Sequence, residues 1–183
     1  MSQFVYHFKP TNMSGDFLVP LNSMQELLPA AYEEHIKKYK GREQMLKQKI
    51  PMLNCLWNDV LHLSSINPQI ILNMWREKDL FEHAKIPKEI EVYKIPVELL
   101  DEETTICFQS LNYDFYEYTA DLEKYSKFNK ETFKEQTIVE PKQIDVWKND
   151  TKEKRTMLWY SNTMHVLAKQ QVDTRLCEII ICR

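Results

Sequence analysis

Apolar and polar positions alternate in short blocks along the chain. Phe4-Val5-Tyr6-His7-Phe8 is an aromatic and β-branched run closed by Lys9-Pro10, and it reads as a strand near the N-terminus. The polar stretch from Thr11 to Pro20, with Asn12, Ser14, Gly15 and Asp16, predicts a loop. Asn22-Ser23 are cap-type residues ahead of a helical turn over Met24 to Leu28, and Pro29 suits the first position of a longer helix reaching Gln48. Within it Ala30, Tyr32, Ile36, Tyr39, Met45 and Leu46 recur at helical spacing, and Gly41 is the point where it would break.

Pro51 introduces Met52 to Trp57, a strand-like run that Asn58-Asp59 separates from Val60 to Ser64, so the two predict a tight hairpin or one bent strand. Pro68 opens a short helix, Gln69 to Glu77, that buries Ile70, Ile71, Met74 and Trp75. Glu91 to Ile95 alternates as a strand does, Pro96 to Leu100 turns, and Thr104 to Gln109 follows as a second strand, giving the look of an antiparallel pair. Asp114 to Gln136 carries Leu122, Tyr125, Phe128 and Phe133 at helix-like intervals and predicts one or two surface helices, while Ile144 to Trp147 fits either state. Met157 to Tyr160, Met164 to Ala168 and Cys177 to Cys182 are further strands, the last two linked through Val172 to Arg175. Without regular βαβ alternation the class is α+β, in a single domain over residues 1–183 with no repeat or linker.

Composition narrows what such a fold could do. A chain of 183 residues, 43% hydrophobic and 28% charged, buries roughly 70% of its unfolded surface and needs no staples. It has two glycines, Gly15 and Gly41, where average usage of roughly 7% would give about 13. The glycine-rich dinucleotide turn, the P-loop and the nucleophile elbow all need closely spaced glycines, so none is present. Twenty-four basic against 27 acidic side chains leave a net charge of −3 and no broad basic footprint for a phosphate backbone. The sequence carries no basic n-region with a long apolar run and no stretch long enough for a membrane span, which reads as cytoplasmic. Cys55, Cys107, Cys177 and Cys182 sit among apolar neighbours and read as buried thiols; Cys177 and Cys182, an odd number of positions apart in a strand, would face opposite ways.

Of the five histidines, His35 and His83 lie in charged surroundings and read as solvated, whereas His7, His62 and His165 fall in or beside strands. A three-histidine zinc site would suit a catalytic metal, but the spacings match no such motif. Ser64 or Ser161 lacks a nucleophile elbow, Cys55 is flanked by Leu53 and Leu56 and reads as buried, and Glu33-Glu34 and Glu102-Glu103 carry no specific signal.

The order Tyr6-His7-Phe8-Lys9-Pro10-Thr11-Asn12, then Val60-Leu61-His62-Leu63-Ser64, then Val92-Tyr93-Lys94-Ile95-Pro96, then Met164-His165-Val166-Leu167-Ala168 to Ile181 distantly resembles the ADP-ribosyltransferase superfamily. Within it the nearest in pattern are the DarT group that modifies DNA bases and the RNA 2′-phosphotransferases. The whole chain also looks like bacterial proteins called group-specific proteins in Bacillus, a likeness that supplies no activity. The superfamily resemblance implies two small, mainly antiparallel sheets around a cleft that holds NAD as substrate, with ADP-ribose passed to a nucleic-acid or protein acceptor. It implies that His7 bonds the dinucleotide at a ribose, that Thr11 and Asn12 line the adjoining polar loop, and that His62 and Ser64 flank the nicotinamide. The transferases place a glutamate on the last strand to stabilise developing positive charge; here Met164-His165 stand instead. His165 would then be the catalytic residue, as acceptor or base, with Arg42 and Arg175 as the arginines of interest. The alternative is a non-catalytic binding or inhibitor protein presenting Tyr113, Phe115, Tyr116, Tyr118, Tyr125 and Phe128 as an aromatic surface, although the same residues could simply pack helices onto the sheet.

Overall fold

Residues 2–11, 14–41, 43–84, 86–110, 123–160 and 162–183 are described by a computed structural model. Its strands are β1 (Phe4–Phe8), β2 (Phe17–Leu18), β3 (Lys49–Ile50), β4 (Cys55–Leu56), β5 (Leu61–Ser64), β6 (Ile90–Pro96), β7 (Thr105–Ser110), β8 (Glu123–Lys127), β9 (Met164–Ala168), β10 (Val172–Asp173) and β11 (Glu178–Cys182). Its α-helices are α1 (Leu21–Leu27), α2 (Pro29–His35), α3 (Pro68–Glu77) and α4 (Pro141–Lys152). Seven strands form one sheet in the order β11-β6-β1-β5-β9-β7-β8, every neighbouring pair antiparallel. The class is α+β. The expectation of two small sheets around a cleft is corrected: the chain builds one large sheet, and β2–β10 and β3–β4 are only two-stranded ribbons.

Alternation along the strands gives this sheet two apolar faces. Val5, Leu61, Leu63, Tyr93, Ile95, Val166 and Ala168 point one way and are covered by Leu18, Val172, Phe128 and Phe133. Tyr6 and Val92 point the other way, under Ile71, Leu72 and Trp75 of α3 and Trp147 of α4. On that same second face, the β9–β7 half carries Ile106, Phe108 and Leu167 under Ile50, Cys55 and Val60. Helix α3 forms there because Asn67 caps it, its side chain accepting from Gln69 N, and Pro68 takes the first position. Its stripe Ile71, Leu72 and Trp75 is buried at helical spacing, each residue contributing about 1.5–3 kcal/mol by leaving water.

Several elements depart from the pattern read along the chain. The helix expected from Pro29 to Gln48 ends at His35 and continues as 3₁₀ turns over Ile36–Tyr39 and Glu43–Lys47, with Gly41 between them at φ +79°. Met52 to Trp57 is not one strand: Pro51 starts a 3₁₀ turn, Asn54 takes a left-handed φ of 45°, and the chain reverses so that Ile50 pairs Cys55. β6 and β7 do not pair with each other; β6 lies between β1 and β11, and β7 between β9 and β8. Of the region read as surface helix, Glu123–Lys127 is a strand and 111–122 lie outside the described residues. Ile144 to Trp147 is helical, whereas Met157 to Tyr160 is irregular. The cysteines are free, and Cys177 and Cys182 do pack on opposite faces of the sheet. No helix among the described residues is long and apolar enough to cross a membrane.

Candidate functional site

β5 and β9 lie side by side with His62 opposite Leu167 and Ser64 opposite His165. Directly opposed residues share a face, so His62, Ser64 and His165 stand together, with Tyr6 opposite Ser64 and Phe108 opposite His165. Aromatic rings link them. Trp57 lies 4.5 Å from His62 and 5.3 Å from Phe108, Phe108 lies 6.0 Å from His165, His165 meets Tyr160 edge-on at 6.3 Å, and Tyr160 stacks on Phe8 at 5.3 Å. Phe8, Trp57, His62, Tyr160 and His165 are all half-buried.

Both imidazoles are fixed by the backbone. His62 Nε2 bonds the Trp57 carbonyl at 2.8 Å and His165 Nε2 bonds the Tyr160 carbonyl at 2.9 Å. A carbonyl only accepts, so each ring carries its proton on Nε2 and keeps a lone pair on Nδ1. Burial pushes His62 down to about 3; the carbonyl bond works against this, and the charges of His165, Lys38 and His7 add to it. Burial also lowers His165, opposed by its carbonyl bond. The rings pack on one another along one face of the sheet, with the two imidazoles desolvated but still partly exposed. Such imidazoles are neutral at pH 7, weak as bases, and serviceable as hydrogen-bond acceptors.

The other expected site residues are placed differently. His7 alternates with Tyr6 and so shares the face of Val5; its Nδ1 donates to the Phe8 carbonyl at 2.6 Å, and burial, with Lys38 and His35, brings it to about 4. It reaches His62 through charge alone. The buried Ser64 hydroxyl is committed to Ile66, donating to its carbonyl and accepting from its N–H, each at 3.1 Å. Thr11 is exposed beyond β1, and Asn12, Arg42 and Ser161 lie outside the described residues. Arg175 is exposed and pairs with Asp173 at 2.6 Å and Asp16 at 3.6 Å. His83 is exposed as expected, but His35 is half-buried with Nε2 lacking a hydrogen-bond partner.

Of the aromatic stretch, Tyr113, Phe115, Tyr116 and Tyr118 lie outside the described residues. Tyr125 packs on Phe108 at 5.1 Å, and Phe128 is buried against Phe133 at 5.5 Å. A cavity of about 380 Å³ lined by Val19, Leu27, Asp59 and Lys169, among others, includes none of the rings described above. The sequence pointed to His62 and His165 because histidines are few. It gave no sign of the ring wall, since Phe8, Trp57, Phe108 and Tyr160 read individually as core. No protein-family model, curated protein or solved structure matches the chain.

Proposed function

We propose that the protein binds a nucleotide at the partly exposed ring cluster of Phe8, Trp57, His62, Tyr160 and His165, with NAD the nucleotide that the superfamily resemblance names. The observation that carries this reading is the pair of neutral imidazoles held among aromatic rings with their Nδ1 lone pairs uncommitted to the backbone. A flat heteroaromatic ring stacks on such rings and donates its N–H groups to such acceptors, as a purine or the nicotinamide carboxamide does.

Recognition is better supported than turnover. The low proton affinity of His62 and the carbonyl-locked ring of His165 suit hydrogen-bond acceptance, so the second reading, a non-catalytic binding protein, gains from the same site. ADP-ribose transfer to a nucleic-acid or protein acceptor rests on the resemblance.

Thermal melting with NAD, ADP-ribose or nicotinamide tests the binding. A ligand at 100 times its Kd stabilises the folded state by about 2.7 kcal/mol, so Tm rises with concentration. No shift with any of the three at millimolar concentration would remove the nucleotide reading. Given binding, release of nicotinamide from NAD that is lost in His165→Ala would establish turnover, and its absence in the wild type would leave a binding protein.

A further inference from the structure

β11 is an end strand of the sheet, and the direction of its backbone groups follows from the hydrogen bonds of its neighbours. Lys9 N donates to Glu91 O at 3.0 Å and Val97 N to Gln3 O at 3.1 Å, in the same register that places His7 opposite Tyr93. The odd-numbered residues of β6 therefore turn their N–H and C=O groups towards β1. Backbone groups alternate sides along a strand, so Ile90, Val92 and Lys94 turn theirs towards β11, where they meet Cys182, Ile180 and Glu178. The odd-numbered residues of β11 then point outward. Arg183, the next odd position, is already engaged: its N–H donates to Gln69 Oε1 at 2.9 Å and its carbonyl accepts from Gln69 Nε2 at 2.7 Å. Cys177 N donates back to Thr174 O at 3.1 Å. Among the described residues, the open groups of the edge are thus the N–H and C=O of Ile179 and Ile181, and these two residues are 47% and 51% exposed.

We propose that a second copy of the chain pairs antiparallel on this edge about a two-fold axis through Ile180. In that register Ile179 of each copy faces Ile181 of the other, and every open N–H and C=O on both strands is paired. Shifting by one step towards the N-terminus would call on Cys177, whose N–H is spent in a turn. Shifting towards the C-terminus would call on Arg183, whose groups Gln69 holds. The four exposed isoleucine side chains meet on one face, as cross-strand β-branched pairs do. An edge carrying Ile179 and Ile181, with neither lysine nor proline within β11, lacks the usual protection against such pairing. A five-residue ladder is short against the about 1,200–2,000 Å² that stable interfaces bury, so the dimer dissociates on dilution.

Sedimentation velocity over a concentration series reads this directly, with Ile181→Pro as the variant. Proline at an outward-facing position removes an edge donor without removing a bond to β6. The wild type is expected to pass from one chain to two as concentration rises, and Ile181→Pro to remain a single chain with unchanged circular dichroism. A second variant, Ile179→Lys, keeps the backbone donor, places like charge in the contact and should also be monomeric. A wild type that is monomeric at every concentration overturns the proposal, including when the edge accepts an extended peptide of another protein. A dimer that persists in both folded variants overturns it as well.

Discussion

His62 and His7 are held neutral inside the fold, at about 3 and about 4 against an ordinary value of 6.5. Because both are depressed, the unfolded chain takes up these protons first as pH falls. The stability gained by keeping the rings neutral is complete above pH 6.5, and it is lost on acidification down to about 4 for His7 and about 3 for His62. Each ring adds about 1.4 kcal/mol per pH unit to the slope in that window. Urea melts between pH 6.5 and 4 should therefore show stability falling with pH, and His62→Gln should lower the slope by about one proton. An unchanged slope would mean that His62 titrates as it does in the unfolded chain. At this scale the sequence singled out the strand histidines by their scarcity and was silent about their protonation state. The partners that hold the His7, His62 and His165 rings are backbone carbonyls of Phe8, Trp57 and Tyr160, and any residue type supplies a carbonyl.

Elements with a strong local pattern were legible. β1, α3, β6 and β9 follow from aromatic or β-branched runs, or from a proline at a helix start, and lie within a residue or two of their expected bounds. β5 was legible in the same way, within one residue of Val60 to Ser64, but what its neighbours pair with was not. β5 offers β1 only one paired position, Ser64 against Tyr6, and the next backbone group of β1 on that side is met by a side chain from far along the chain. Glu135 accepts from Phe4 N at 2.9 Å with one oxygen and from the Tyr6 hydroxyl at 2.7 Å with the other. Burial, this bond and the carboxylate's charge together raise Tyr6 far above its ordinary value. Glu135→Ala leaves both donors unmatched and should cost about 2 kcal/mol in chemical denaturation, hydrogen bonds to charged groups being worth about 1.5–3 kcal/mol. A loss below about 0.5 kcal/mol would mean that water replaces the carboxylate without penalty.

Across the molecule, the sheet order puts the N-terminal strand between β5 and β6 and the C-terminal strand at an edge. No local pattern encodes that order, which is why β6 and β7, consecutive along the chain, looked like a pair and are four strands apart. The same order brings His62 and His165 onto neighbouring strands and turns His7 to the opposite face. It also replaces the split-sheet cleft implied by the resemblance with a ring cluster on one face of a continuous sheet. Nucleotide binding at this ring cluster is read by calorimetric titration of NAD into the wild type and His62→Phe. Phe keeps a ring against Trp57 and removes the Nδ1 acceptor. Saturable one-site binding, weakened about tenfold in the folded variant as the loss of about 1.4 kcal/mol requires, is the predicted result. No heat of binding in the wild type, or equal affinity in the two proteins, would contradict it.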